Sequence, residues 1–253
     1  LLNNGNGTLA PRSDYSTGGS VPNGIALGDV DNDGDLDVVV TNNGSHTVSV
    51  MLNDGQGAFP FPDVSTLSGT WVAATNSATP TSVALGDVNG DGYLDIAVVA
   101  EGIAGTGTVD VRLNNGIGGF TNSAPGSPFL VPSPDNSSAM IVLADVDGDG
   151  DLDLATGRRT GGALIVRLNN GSGNFSTSAV GSPYPTIGGT FGIASGDLDG
   201  DGDIDFIAGS EGTLDINIFL NASQPILTTF SPPRNTQTLA PNAAINLTYN
   251  QSM

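Results

Sequence analysis

One nonapeptide pattern recurs four times: "DVDNDGDLD" at 29–37, "DVNGDGYLD" at 87–95, "DVDGDGDLD" at 145–153 and "DLDGDGDID" at 197–205. The copies start 58, 58 and 52 residues apart. A second motif follows each in the same phase: "MLNDGQGAF" (51–59), "RLNNGIGGF" (112–120), "RLNNGSGNF" (167–175) and a degraded "FLNASQP" (219–225). An orphan copy, "LLNNGNG", opens the chain. Two motifs in fixed order define a tandem repeat, and such units fold by burying themselves against their neighbours.

Each unit reads as four short strands. The first precedes the acidic loop ("GIALGD", "SVALGD", "MIVLAD", "GIASGD") and the second follows it ("LDVVV", "LDIAVV", "LDLAT", "IDFIAG"). The second is almost continuously apolar, as a strand packed on both faces must be. A third, alternating strand ends in the Leu-Asn pair. An Asn-Gly or Asp-Gly turn then leads to a fourth strand starting at Phe59, Phe120 or Phe175, because these dipeptides tolerate the positive φ of hairpin turns. The fold class is therefore all-β, and a four-stranded unit of this length suits a β-propeller blade. The alternative, an elongated β-solenoid, is built from shorter coils. Predicted units are roughly 10–59, 60–120, 121–175 and 176–222.

The acidic loops pose an electrostatic problem. Of the 26 acidic residues, 18 lie in these four segments, against six arginines and no lysine in the whole chain. Two carboxylates about 5 Å apart repel by roughly 1–3 kcal/mol at effective dielectrics of about 80 down to 20. Five in one turn oppose folding unless a cation neutralises them. Asp at positions 1, 3 and 5 with Gly at 6 matches the first half of the EF-hand calcium loop, where alternate side chains converge on one ion. Here the last acidic ligand falls at position 9, and strands flank the loop in place of helices.

This pattern assigns Asp29, Asp31, Asp33 and Asp37 as side-chain ligands, with Asp35 giving its backbone carbonyl. The corresponding sets are Asp87, Asn89, Asp91 and Asp95 with Tyr93; Asp145, Asp147, Asp149 and Asp153 with Asp151; and Asp197, Asp199, Asp201 and Asp205 with Asp203. Tyr93 fits because a position-7 side chain points away from the ion. An all-oxygen set favours Ca²⁺ over Mg²⁺ and over thiol- or imidazole-seeking metals. Four ions would move the formal charge from −20 to about −12. The second loop, with Asn89 in place of an aspartate, is expected to bind more weakly. The plain reading is four solvated acidic turns that bind nothing; repetition in register argues against it.

Composition excludes other chemistries. With so few cations the chain has no surface to neutralise nucleic acid or an anionic membrane. It has no stretch long and apolar enough to span a bilayer. The lack of cysteine excludes disulfides and thiolate sites. No signal peptide is present, but the chain begins mid-pattern without methionine, so its absence is read as truncation.

These loops, each followed by an "LNNGxGxF" hairpin, resemble the FG-GAP/VCBS-type repeats of bacterial surface and secreted proteins, related to the calcium-bearing blades of integrin α-subunit propellers. The resemblance covers residues 1 to about 222, and the acidic loop is its specific part. It implies calcium at loop positions 1, 3, 5, 7 and 9, a location outside the cell, and commonly seven blades. Phe-Gly itself occurs only once near its expected place, at Phe191-Gly192, and no Gly-Ala-Pro follows. Four visible units are then a fragment of a larger ring, or a closed four-bladed ring completed by "GNGTLA". Residues 223–253 change character and resemble a linker and the truncated start of a bacterial Ig-like domain.

Outside the loops few residues could carry chemistry. His46, the sole histidine, sits at a turn with no legible Ser-His-Asp grouping. Arg158 and Arg159 could hold a carboxylate or sugar, or salt-bridge locally. Trp71 could stack on a sugar or simply pack between blades. Glu101 and Glu211 come from different units and are expected to lie too far apart to act as an acid/base pair. The sequence therefore reads as a non-enzymatic, calcium-stabilised module for adhesion or for binding an extracellular protein or glycan. The alternative is an accessory part of a secreted carbohydrate-active enzyme, or a spacer between adhesive domains.

Overall fold

The computed structural model describes residues 5–59, 62–63, 79–102, 106–120, 122–132, 138–213, 215–221, 227–231 and 246–249. Blade 1 comprises β1 (Pro22–Gly28), β2 (Asp37–Asn42), β3 (Thr47–Met51) and β4 (Pro62–Asp63), hydrogen-bonded in that order. Blade 2 comprises β5 (Thr79–Gly86), β6 (Asp95–Glu101), β7 (Thr106–Leu113) and β8 (Asn122–Ser123), with β9 (Phe129–Pro132) also pairing with β7. Blade 3 repeats this with β10 (Ser138–Ala144), β11 (Asp153–Arg158), β12 (Ala163–Leu168), β13 (Thr177–Ser178) and β14 (Tyr184–Pro185). Blade 4 has β15 (Gly189–Gly196), β16 (Asp205–Glu211) and β17 (Ile216–Phe219) among the described residues. The first strands lie side by side, β1 on β5, β5 on β10 and β10 on β15. This is a four-bladed propeller arrangement, not a solenoid.

The second strands form the spine, and their alternation explains why. In β6, Ile96, Val98 and Ala100 enter a core shared with Val39, Val48 and Val50 of blade 1. The intervening Ala97 and Val99 enter a second core with Ile141, Leu154 and Ile165 of blade 3. A strand used on both faces has no position left for a polar residue. A third core joins Ala155, Leu164 and Val166 of blade 3 to Ile193 and Phe206 of blade 4.

The fourth strands differ from expectation. They are two-residue pieces at 62–63, 122–123 and 177–178, beginning beyond the phenylalanines. The reason is packing: Phe120 lies in the core between blades 1 and 2, and Phe175 in that between blades 2 and 3. The short strands β9 and β14 were not foreseen. They are docked by a serine turn, in which Ser127 Oγ accepts the amide of Val111 at 2.7 Å and Ser182 Oγ that of Val166 at 3.0 Å.

In the tail, β18 (Leu227–Ser231) and β19 (Asn246–Tyr249) pair as an antiparallel hairpin. The rest of 222–253, on which the Ig-like reading also depends, lies outside the described residues, as does Trp71. Among the described residues no helix is long and apolar enough to cross a membrane.

Candidate metal centres

Every acidic loop closes its first hairpin at one register. Gly28 faces Asp37, Gly86 faces Asp95, Ala144 faces Asp153, and Gly196 faces Asp205. The position-9 aspartates so placed are fully buried, and both oxygens of each accept backbone amides. Asp153 takes Val146 at 2.9 Å and Asn169 at 2.7 Å; Asp95 takes Val88 at 3.1 Å and Asn114 at 2.7 Å. Asp37 and Asp205 repeat the pattern. Each carboxylate thus ties its loop to the Leu-Asn end of the third strand.

Three acidic side chains converge in each of loops 1, 3 and 4. In loop 1, carboxylate oxygens of Asp29, Asp31 and Asp33 lie within 4.8 Å of one another. The same holds for Asp145, Asp147 and Asp153 in loop 3, and for Asp197, Asp199 and Asp205 in loop 4. Position-1 side chains are held by the loop backbone, Asp29 accepting the amides of Asp33 and Gly34 at 3.1 and 2.9 Å. Burial, reinforced by the neighbouring carboxylates, raises the pKa of Asp31, Asp147 and Asp199. Burial likewise raises Asp153, and pushes Asp95 up to about 6 despite its two amide donors. Oδ1 of Asp31 is buried and meets no hydrogen-bond donor among the described residues. A buried acceptor without a partner inside a carboxylate cluster suits a hard cation. The donor set is all oxygen.

Loop 2 departs from four equivalent sites. The Asn89 amide donates to Asp91 at 2.9 Å and accepts the Asp91 backbone N–H at 3.0 Å. An internal N–H stands where the other loops gather a third carboxylate, and Asp87, Asp91 and Asp95 do not form such a triplet.

Position 7 faces the hairpin turn that follows the third strand. Its side chain lies against the turn glycine of the same blade: a β-carbon on Gly55 would fall 2.7 Å from Asp35 Oδ2, one on Gly116 2.8 Å from the Tyr93 ring, and one on Gly171 2.6 Å from Asp151 Oδ2. These glycines have φ of 78°, 83° and 75°, so both backbone and space require glycine. We expect Asp35→Asn to leave the calcium-saturated melting temperature within about 2 °C of the parent, about 0.5 kcal/mol, the range of a surface change. A thermal melt decides it. A loss as large as that of Asp33→Ala would place the Asp35 carboxylate on the ion.

One functional feature was visible in the sequence but read only as a turn. The asparagine of the Leu-Asn pair in blades 2, 3 and 4 clasps the preceding blade. Asn114 Nδ2 donates to the Val30 carbonyl at 2.8 Å, Asn169 Nδ2 to Val88 at 2.8 Å, and Asn221 Nδ2 to Val146 at 2.6 Å. Each accepting carbonyl is position 2 of the preceding blade's acidic loop. The two motifs are one device, which explains their constant phase.

A second cluster lies at the opposite ends of the first strands. A cavity of about 460 Å³ is lined by residues of all four blades, among them Asn23, Asn43, Glu101, Met140, Arg159 and Phe191. Glu101 and Glu211, expected to lie apart, meet there at one guanidinium. Arg159 stands 3.7 Å from Glu101 of blade 2 and makes a two-pronged pair with Glu211 of blade 4 at 3.0 Å per contact. The blades bring together what sequence distance separated. Arg159 also lies 5.1 Å from the ring centre of half-exposed Phe191. Arg158, by contrast, bonds locally to the Gly161 carbonyl. His46 is exposed in the β2–β3 turn.

No curated protein matches the chain. The FG-GAP-like repeat profile matches residues 1–40, 29–98, 99–156 and 145–208. Its matches cover all four acidic loops and most of the propeller, and the chain belongs to the FG-GAP-like repeat family.

Proposed function

We propose that this chain is a non-enzymatic, calcium-stabilised propeller of the VCBS and integrin-α-like kind, in a secreted or cell-surface bacterial protein, serving adhesion or ligand binding. The observation that carries the metal half is the unpartnered, buried Oδ1 of Asp31 within a converging carboxylate triplet. Loops 1, 3 and 4 hold calcium through the aspartates at positions 1, 3, 5 and 9 and the position-7 carbonyl; loop 2 is weak. The ion's role is charge neutralisation and cross-linking of the first two strands of a blade. The family resemblance supports the extracellular setting, and the Pro-Pro punctuation and alternating "AINLTY" of the tail support its Ig-like reading.

The binding half rests on the cavity opposite the loops. An exposed aromatic face beside amides and an arginine held by two carboxylates suits a glycan, whose CH faces stack and whose hydroxyls both donate and accept. Its two carboxylates share one guanidinium, so no free acid/base pair is poised there. A polysaccharide panel read by calorimetry and by reducing-end release tests this. Phe191→Ala is expected to weaken binding at least about tenfold, the loss of about 1.4 kcal/mol of stacking. Product release would favour the enzyme reading, and no binding to any glycan would sink the glycan assignment while leaving the metal sites standing.

A further inference from the structure

The asparagine clasp between consecutive blades ends, on both sides, on the machinery of an acidic loop. At the junction of blades 3 and 4 both of those loops gather a carboxylate triplet. The Asn221 amide donates to Asp205 Oδ1 at 2.7 Å, and Asp205 belongs to the loop-4 triplet. The Asn221 side chain donates through Nδ2 to the Val146 carbonyl at 2.6 Å. Val146 is the single residue between Asp145 and Asp147, and its own amide donates to Asp153 Oδ2 at 2.9 Å. Those three aspartates are the whole loop-3 triplet. One residue thus runs from a carboxylate of one cluster to the peptide on which the other is hung.

Each bonded oxygen of Asp205 keeps a lone pair for an ion, so filling loop 4 breaks neither of its amide bonds. An ion drawing Asp197, Asp199 and Asp205 together fixes the Asp205 carboxylate, and with it the backbone of Asn221. A fixed Asn221 holds the Val146 carbonyl, which sets the peptide between two loop-3 ligands before any ion arrives there. Such pre-organisation lowers the cost of binding. The other junctions carry the same bonds without the same consequence. Asn114 and Asn169 link loop 2 to loops 1 and 3, but loop 2 gathers no triplet among the described residues. A relay that passes through loop 2 stops there.

We propose that Asn221 is a positioning residue that couples the sites of loops 3 and 4, so that calcium at either tightens the other. This coupling rests on the calcium reading of the loops. The site of loop 1 fills alone. By linkage the factor is the same in both directions.

Calorimetric titration with calcium tests it in a chain carrying Asp31→Asn, which copies the position-3 asparagine of loop 2 and silences loop 1. Adding Asp199→Asn, the same change in loop 4, is expected to weaken calcium at loop 3 about tenfold. In a chain that also carries Asn221→Ala, which keeps the amide bond to Asp205 and loses only the clasp, Asp199→Asn should change nothing at loop 3. Asn114→Ala removes the equivalent clasp between blades 1 and 2 and should leave the loss intact, which separates coupling from a general loosening of the stack. If melts in chelator show Asn221→Ala unfolded, Asn221→Asp, of equal size without the donor, replaces it. Loop-3 affinity indifferent to Asp199→Asn overturns the proposal, as does a loss that persists without the clasp. Absence of calcium binding in every form ends the metal reading and the coupling with it; binding without coupling overturns the coupling alone.

Discussion

Exhaustive chelation is expected to lower the melting temperature of this chain by more than about 10 °C, and excess calcium to restore it. A ligand that binds only the folded state stabilises it by about 1.4–2.7 kcal/mol per site at concentrations of about 10–100 times Kd. Three carboxylate triplets converge in the structure. Acting independently they contribute about 4–8 kcal/mol, and a domain of this size gains about 2–4 °C per kcal/mol. The unbound loops are also the less comfortable state, since desolvation and neighbouring carboxylates raise the pKa of Asp31, Asp147 and Asp199. Magnesium should substitute poorly, because it prefers fewer protein ligands and a tighter shell. Calorimetric melts in chelator, calcium and magnesium separate these cases. Identical transitions in all three would end the metal assignment.

The second large effect separates aspartates that hold the fold from those that hold the ion. Asp153→Ala strips the partners from the amides of Val146 and Asn169. Orphaning two such donors costs about 2–5 kcal/mol, and this loss should persist in chelator because no metal is involved in those bonds. Asp149 makes one local bond, accepting the Asp151 amide at 2.9 Å in an exposed turn. Asp149→Ala should therefore cost under about 1 kcal/mol in chelator while lowering the response to calcium. Urea unfolding of both variants, with and without calcium, reads the difference. If the two behave alike in chelator, the position-9 carboxylate is not the strand tie inferred from its burial.

Repetition made the fold legible. Phase-locked motifs fixed the blade, and the unbroken apolar run at Ile96–Ala100 announced a strand packed on both faces. What stayed hidden was the use of a residue across a junction. Phe120 and Phe175 look like strand openers because they follow a turn, yet they serve the neighbouring core. Asn114 and Asn169 look like turn formers because glycine follows, yet their side chains reach 84 and 81 residues back. Arg159 joins Glu101 to Glu211 for the same reason: side-by-side blades convert sequence-distant strand ends into neighbours. Local pattern describes a blade well. Contacts between blades depend on how the sheets stack, which no window of sequence contains.

Each junction between consecutive blades is sealed by the same device, the asparagine of one blade on the loop carbonyl of the blade before it, so nothing within a blade specifies how many there are. Gene duplication can lengthen such an array without inventing a single new contact, and deletion can shorten it with the same indifference. The count is left to what terminates the series.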